Sequence, residues 1–174
     1  LKDDGSVVTW GDSDSGGDSS SVASELSNGV STIFSTSYAF AALKDDGSVI
    51  TWGNPAYGGD STSTNMVNPM TGQPMPPPDL SSGVTNIYST RGAFAALKVD
   101  GSVVTWGDVM QGGVSSLVSS DLSSGVSNIY TRYGGDDGGF AALKVDGSII
   151  TWGSFWGSDW IFESISFDHS AVSS

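Results

Sequence analysis

Cysteine is absent from this 174-residue chain, which excludes disulfides, thiolate metal centres and cysteine nucleophiles. Basic residues are scarce, six Lys and Arg against nineteen Asp and Glu for a net charge of −13, so nucleic acid and anionic membranes would be repelled. A cysteine-free, acidic composition is the kind that keeps an extracellular or cell-surface protein soluble. Apolar runs never exceed strand length, so no membrane insertion is expected. Histidine occurs once, at His169, with no Gly-x-Ser-x-Gly elbow and no helix-opening phosphate loop. The chain therefore reads as non-enzymatic and calls for no cofactor.

What is present is a phrase written four times. Leu1-Lys-Asp-Asp-Gly-Ser-Val-Val-Thr-Trp-Gly11 returns at Leu43 to Gly53, Leu97 to Gly107 and Leu143 to Gly153. A period of this size marks small supersecondary units that share one core. A second phrase precedes three of the copies, Gly29-Val-Ser-Thr-Ile-Phe-Ser-Thr36, Gly83-Val-Thr-Asn-Ile-Tyr-Ser-Thr90 and Gly125-Val-Ser-Asn-Ile-Tyr-Thr-Arg132. Its β-branched and aromatic residues between glycines predict a strand. Phe40 to Lys44 and Ser48 to Trp52, joined by Asp46-Gly47, predict a hairpin. Each unit thus has three antiparallel strands, A, B and C, and room for a fourth. Stacking the units would bury Trp10, Trp52, Trp106 and Trp152, which share one register.

The ends align with the repeat as well. Placing Ile165 to Val172 on Ile33 to Phe40 makes Ser174 equivalent to Ala42, and Leu1 is already equivalent to Leu43. The expected organisation is one repeat domain over 1–174, with units near 29–53, 83–107, 125–153 and 162–174 plus 1–11, the terminal strands completing one blade. Length changes fall in loops, the largest being a Pro-rich insertion over 60–79. A chain that starts at Leu1 without methionine is read as a processed product or an excerpt.

The pattern Gly-Val-x-x-Ile, a short loop, then Ala-Leu-Lys-x-Asp-Gly-x-Val-x-x-Trp-Gly resembles the regulator-of-chromosome-condensation repeat. The resemblance spans essentially the whole chain and implies an all-β β-propeller. The Ala-Leu-Lys form and short spacing are similar to the secreted bacterial propellers of that family, whose known member is a protein inhibitor of β-lactamases. Gly16-Gly17, Gly58-Gly59 and Gly112-Gly113 replace the family's usual Gly-Gln-Leu-Gly, and four units stand where seven blades are usual. A closed four-bladed ring, a ring shared by two chains in a homodimer joined through terminal strands, and part of a larger propeller all remain open.

If A runs up, B down and C up, the A-to-B loops share a face with the loops after each Trp-Gly, opposite the Asp-Gly hairpins. That face would carry Tyr38, Arg91, Tyr133, Asp137 and His169 together with Tyr57, Met110, Phe155, Trp156 and Trp160. Loop aromatics give rigid contact area at low entropy cost, which points to a non-catalytic binding module recognising a protein partner. The alternatives are a carbohydrate-binding or glycan-processing module built on Trp156 and Trp160, and a structural repeat of a surface assembly. Asp12, Asp14 and Asp18 echo the first half of a calcium loop, but position twelve is Ala23, which lacks the distal carboxylate.

Overall fold

The structure, a computed structural model, describes residues 1–62, 72–134, 137–153 and 164–165. Three antiparallel sheets follow one another along the chain. The first is β1 (Val30–Ser35), β2 (Ala39–Lys44) and β3 (Val49–Gly53); the second is β4 (Val84–Ser89), β5 (Ala93–Lys98) and β6 (Val103–Gly107). The third is β7 (Val126–Gly134), β8 (Asp137–Lys144) and β9 (Ile149–Gly153), with a two-residue β10 (Ser164–Ile165) added on β9 as a fourth strand. Short 3-10 turns link them, and no α-helix occurs among the described residues. The architecture is all-β, a series of blade-like sheets packed face to face.

Register repeats as faithfully as sequence does. Phe40 pairs with Trp52, Phe94 with Trp106 and Phe140 with Trp152, and the paired rings stack at 5.3, 5.2 and 5.3 Å. At each hairpin a glycine takes the left-handed turn, as Gly47 does at φ 78°. The preceding aspartate locks that turn: Asp46 Oδ1 accepts from the Ser48 amide at 2.9 Å and its hydroxyl at 2.6 Å. Asp4, Asp100 and Asp146 do the same with Ser6, Ser102 and Ser148.

The serine hydroxyl, then the serine amide, holds each of these carboxyls below the usual range. Asp79 falls furthest, to about 2, through the Ser81 hydroxyl and amide and then Lys98 Nζ at 3.3 Å. A folded pKa below the unfolded one gives stabilisation that is complete above the unfolded value and is lost as pH falls through the folded value. The penalty of Asp100→Ala plus Asp146→Ala should therefore be constant from neutrality to roughly pH 5 and shrink as pH falls through the depressed values of the two folded carboxyls. Urea midpoints of the variant and parent across that range check this; a difference that does not narrow in acid would refute it.

Neighbouring sheets are joined by a repeated set of bonds. Between the first and second, the Val49 amide donates to Leu80 O and the Val84 amide to Gly47 O, both at 2.9 Å. Between the second and third, Val103 donates to Leu122 O and Val126 to Gly101 O, again at 2.9 Å. Each sheet's tryptophan also reaches back one unit: Trp52 Nε1 donates to Gly16 O, Trp106 Nε1 to Gly58 O and Trp152 Nε1 to Gly112 O, at 3.0 to 3.1 Å. The Pro-rich insertion returns the chain to the standard position. Leu80 is buried where Leu26 and Leu122 are, and Lys98 Nζ donates to Asp79 O as Lys44 does to Glu25 O and Lys144 to Asp121 O.

Three expectations need correction. Trp10 is 82% exposed, against 3% for Trp52 and 0% for Trp106 and Trp152, because among the described residues no strand pairs with Val7–Gly11 to supply the stacking phenylalanine. The Tyr133 and Asp137 segment is ladder rather than loop: the four extra residues prolong the β7–β8 hairpin through Arg132↔Gly139, Tyr133↔Gly138 and Gly134↔Asp137. Ile165 pairs with Ile149 on the outer edge of β9 and not as a strand A. The rest of 154–174 lies outside the described residues.

Candidate functional site

The loops after β1, β3, β4 and β6 converge beside the junction of the first two sheets. After Trp52-Gly53 and Trp106-Gly107, a polar residue caps a single 3-10 turn: Asn54 Oδ1 accepts from the Ala56 amide at 3.0 Å and Asp108 Oδ1 from the Met110 amide at 2.8 Å. Gly58 and Gly112 end these turns in the left-handed region, where glycine carries no steric penalty. The turns present Tyr57 and Met110.

Threonines anchor the facing loops. Thr36 Oγ1 accepts from the Ala39 amide at 3.1 Å and donates to Tyr57 O at 3.2 Å. Thr90 Oγ1 repeats this with the Ala93 amide at 3.1 Å and Gln111 O at 2.9 Å. A further backbone bond, from the Ser37 amide to Arg91 O at 2.9 Å, ties one A-to-B loop to the next. Each threonine thus sets the distance between its own loop and the following Trp-Gly loop.

These anchors bring four predicted residues together. The Tyr38 and Tyr57 rings lie 4.6 Å apart at 52°, and Tyr57, Arg91, Asp108, Met110 and Gln111 line an adjoining cleft of about 190 Å³. Tyr38, Arg91 and Met110 are exposed, Tyr57 and Asp108 half-buried, and Gln111 buried. Gly92 packs against the lining residues, where a Cβ would stand 3.0 Å from the Tyr57 ring and 3.1 Å from Asp108 Cβ. The surface offers an aromatic pair, a thioether, a cation and a carboxylate within one cleft, which suits reversible recognition and contains no nucleophile–base pair.

Solved structures similar to this chain include yeast RCC1 (Prp20) bound to Kap60, at 20% identity and TM-score 0.44 over 71% of this chain and 29% of that one. Prp20p from Saccharomyces cerevisiae, described with its binding properties to Gsp1p and histones, is 23% identical, at TM-score 0.42 over 71% and 30%. Human WBSCR16 is 24% identical, at TM-score 0.41 over 71% and 33%. The chain spans about a third or less of the length of each. No family model and no curated protein matches it.

The remaining predicted site residues divide in two. Phe155, Trp156, Trp160 and His169 lie outside the described residues, while Tyr133 and Asp137 are placed by backbone only. Two of the calcium candidates hold turns: Asp12 Oδ1 accepts from the Ser15 amide at 3.1 Å, and Asp18 Oδ1 from the Ser20 amide at 2.9 Å. Asp14 joins neither, and no three His, Asp or Glu side chains gather for a metal among the described residues. Sequence reading missed Asp108 and Gln111. Asp108 was legible in retrospect, since Asp12, Asn54 and Asp108 occupy one repeat position, whereas a buried glutamine in a variable loop leaves no such signal.

Proposed function

We propose that this chain is a non-catalytic binding module of a bacterial extracellular or cell-surface propeller, and that it recognises a protein through the loop face around Tyr38, Tyr57, Arg91 and Met110. The observation that supports this reading most is convergence: four residues from four separate loops form one surface, each loop held by a threonine or cap that repeats elsewhere for structural reasons. Between the first two units the side chains on top differ while Thr36 and Thr90 anchor their loops alike. Tyrosine, arginine and methionine are the types enriched where partners bind.

The test pairs Tyr38→Ala with Met110→Ala, both at exposed positions. Proteins captured from the surface and secreted fractions of the source by the parent chain should be lost from the double variant at unchanged unfolding midpoint, with about a tenfold or greater drop in affinity for the purified partner. Capture that survives both substitutions would sink the proposal. Binding on a glycan array that survives them would move recognition to carbohydrate at another surface.

A further inference from the structure

The first two units treat one loop position differently. Counted from the anchoring threonines, Ser37-Tyr38-Ala39 after Thr36 corresponds to Arg91-Gly92-Ala93 after Thr90. Tyr57 corresponds in the same way to Gln111, because each gives its carbonyl to the threonine of its own unit. In the first unit the tyrosine at this position, Tyr38, lies against Tyr57 with the rings 4.6 Å apart. In the second unit glycine stands there, and beside it lies the cleft of about 190 Å³. Both units have all three strands paired, and all five residues that line the cleft are described.

Gly92 marks where the lining side chains meet. A Cβ there would stand 3.0 Å from Tyr57 Cδ1, 3.1 Å from Asp108 Cβ and 3.2 Å from Gln111 Cγ, so three side chains gather over one bare backbone position. Met110, 45% exposed, and the exposed Arg91 complete the wall.

Volume and charge narrow the occupant. Sites for drug-sized molecules run to roughly 300–1,000 Å³. A cleft of about 190 Å³ is below that range and has room for one side chain. The net charge of −13 draws cations toward the chain, but at physiological salt that field is screened beyond about 8 Å. Inside the cleft the Arg91 guanidinium offsets the Asp108 carboxylate, so a side chain of either charge meets a like charge. A neutral ring gains from every wall: the Tyr57 ring, the Met110 thioether and the Arg91 cation each attract an aromatic group. Asp108 then selects a phenol among rings. Its Oδ1 accepts from the Met110 amide at 2.8 Å, and a carboxylate offers about four acceptor sites in all.

On the reading of the loop face as a protein-binding surface, on which this rests, we infer that the cleft receives a tyrosine side chain of the partner, with its hydroxyl donating to the Asp108 carboxylate. The partner's ring takes, in the second unit, the place that Tyr38 holds in the first. Glycine at position 92 keeps that place open.

The probes are the N-acetyl amides of tyrosine, phenylalanine, leucine and lysine, titrated into the full chain with its methionine methyls labelled for NMR and the Met110 signal assigned through Met110→Leu. Tyrosine amide should shift the Met110 methyl saturably, at a midpoint about tenfold or more below that of phenylalanine amide. Leucine and lysine amides should leave it in place. Asp108→Asn keeps the turn cap, as Asn54 does in the first unit, and should bring the tyrosine and phenylalanine midpoints together at unchanged unfolding midpoint. Gly92→Tyr should abolish the shift by filling the cleft from within. No shift with tyrosine amide, or equal shifts with phenylalanine or leucine amide, would overturn the inference. If the amides fail while Tyr38→Ala with Met110→Ala still releases a captured partner, the tyrosine assignment falls and the loop-face reading stands. Capture that survives both substitutions removes the loop-face reading and this assignment with it.

Discussion

Trp106→Ala should lower the free energy of unfolding by about 3–5 kcal/mol, while Trp10→Ala at the equivalent repeat position should change it by under about 0.5 kcal/mol. The two residues share their sequence neighbours and differ only in surroundings. Trp106 is fully buried, stacks on Phe94 at 5.2 Å and donates to Gly58 O at 3.1 Å, whereas Trp10 is 82% exposed. Removing the Trp106 indole leaves a cavity bounded by residues of two sheets and strands the Gly58 carbonyl. In a repeat array each unit contacts only its neighbours, so a defect at a central junction weakens coupling on both sides. Urea unfolding monitored by far-ultraviolet circular dichroism measures both variants. Equal costs would mean that the environments do not differ as described, and a large cost for Trp10→Ala would mean that its ring is covered.

Local patterns in the sequence carry most of the sheet structure. The Gly-Val-x-x-Ile phrase locates β1 and β4 to within a residue and β7 at its start, because β-branched residues bounded by glycine leave little alternative to a strand. Asp46-Gly47-Ser48 marks its turn for a reason that also appears in the bonds: the carboxylate holds the amide two residues on. The joining of Tyr38, Tyr57, Arg91 and Met110 was likewise legible, since strand direction alone assigns loops to faces. Periodicity failed where a residue's environment comes from outside its own unit. Trp10 matches the other tryptophans letter for letter, yet burial there requires a strand that repetition cannot guarantee. The Trp-to-glycine bonds between units were also invisible, because they join a side chain to a backbone carbonyl about forty residues away, and backbone carbonyls have no sequence signature.

Gly59→Ala should destabilise the chain by about 1–3 kcal/mol and weaken partner binding at the same time. A Cβ at Gly59 would overlap the Gly53 carbonyl group and stand 2.8 Å from the Asn54 amide nitrogen. Both are backbone groups in a fixed turn, where the Gly59 amide donates to Asn54 O at 2.9 Å, so neither can rotate away as a side chain would. Gly17 against Gly11 and Gly113 against Gly107 repeat the arrangement, which explains the second glycine of each Gly-Gly pair by contact with Trp-Gly rather than by φ. Displacing this turn moves Gly58 O, the acceptor for Trp106, and Tyr57, half of the tyrosine pair. Stability and binding are thus coupled through one backbone contact. Gly72→Ala is the control: its φ of 65° is left-handed but none of the described residues lies within 4 Å of the added methyl, so its cost should stay near about 1–2 kcal/mol with binding unchanged. If Gly59→Ala lost stability without loss of affinity for the purified partner, Tyr57 would not belong to the binding surface.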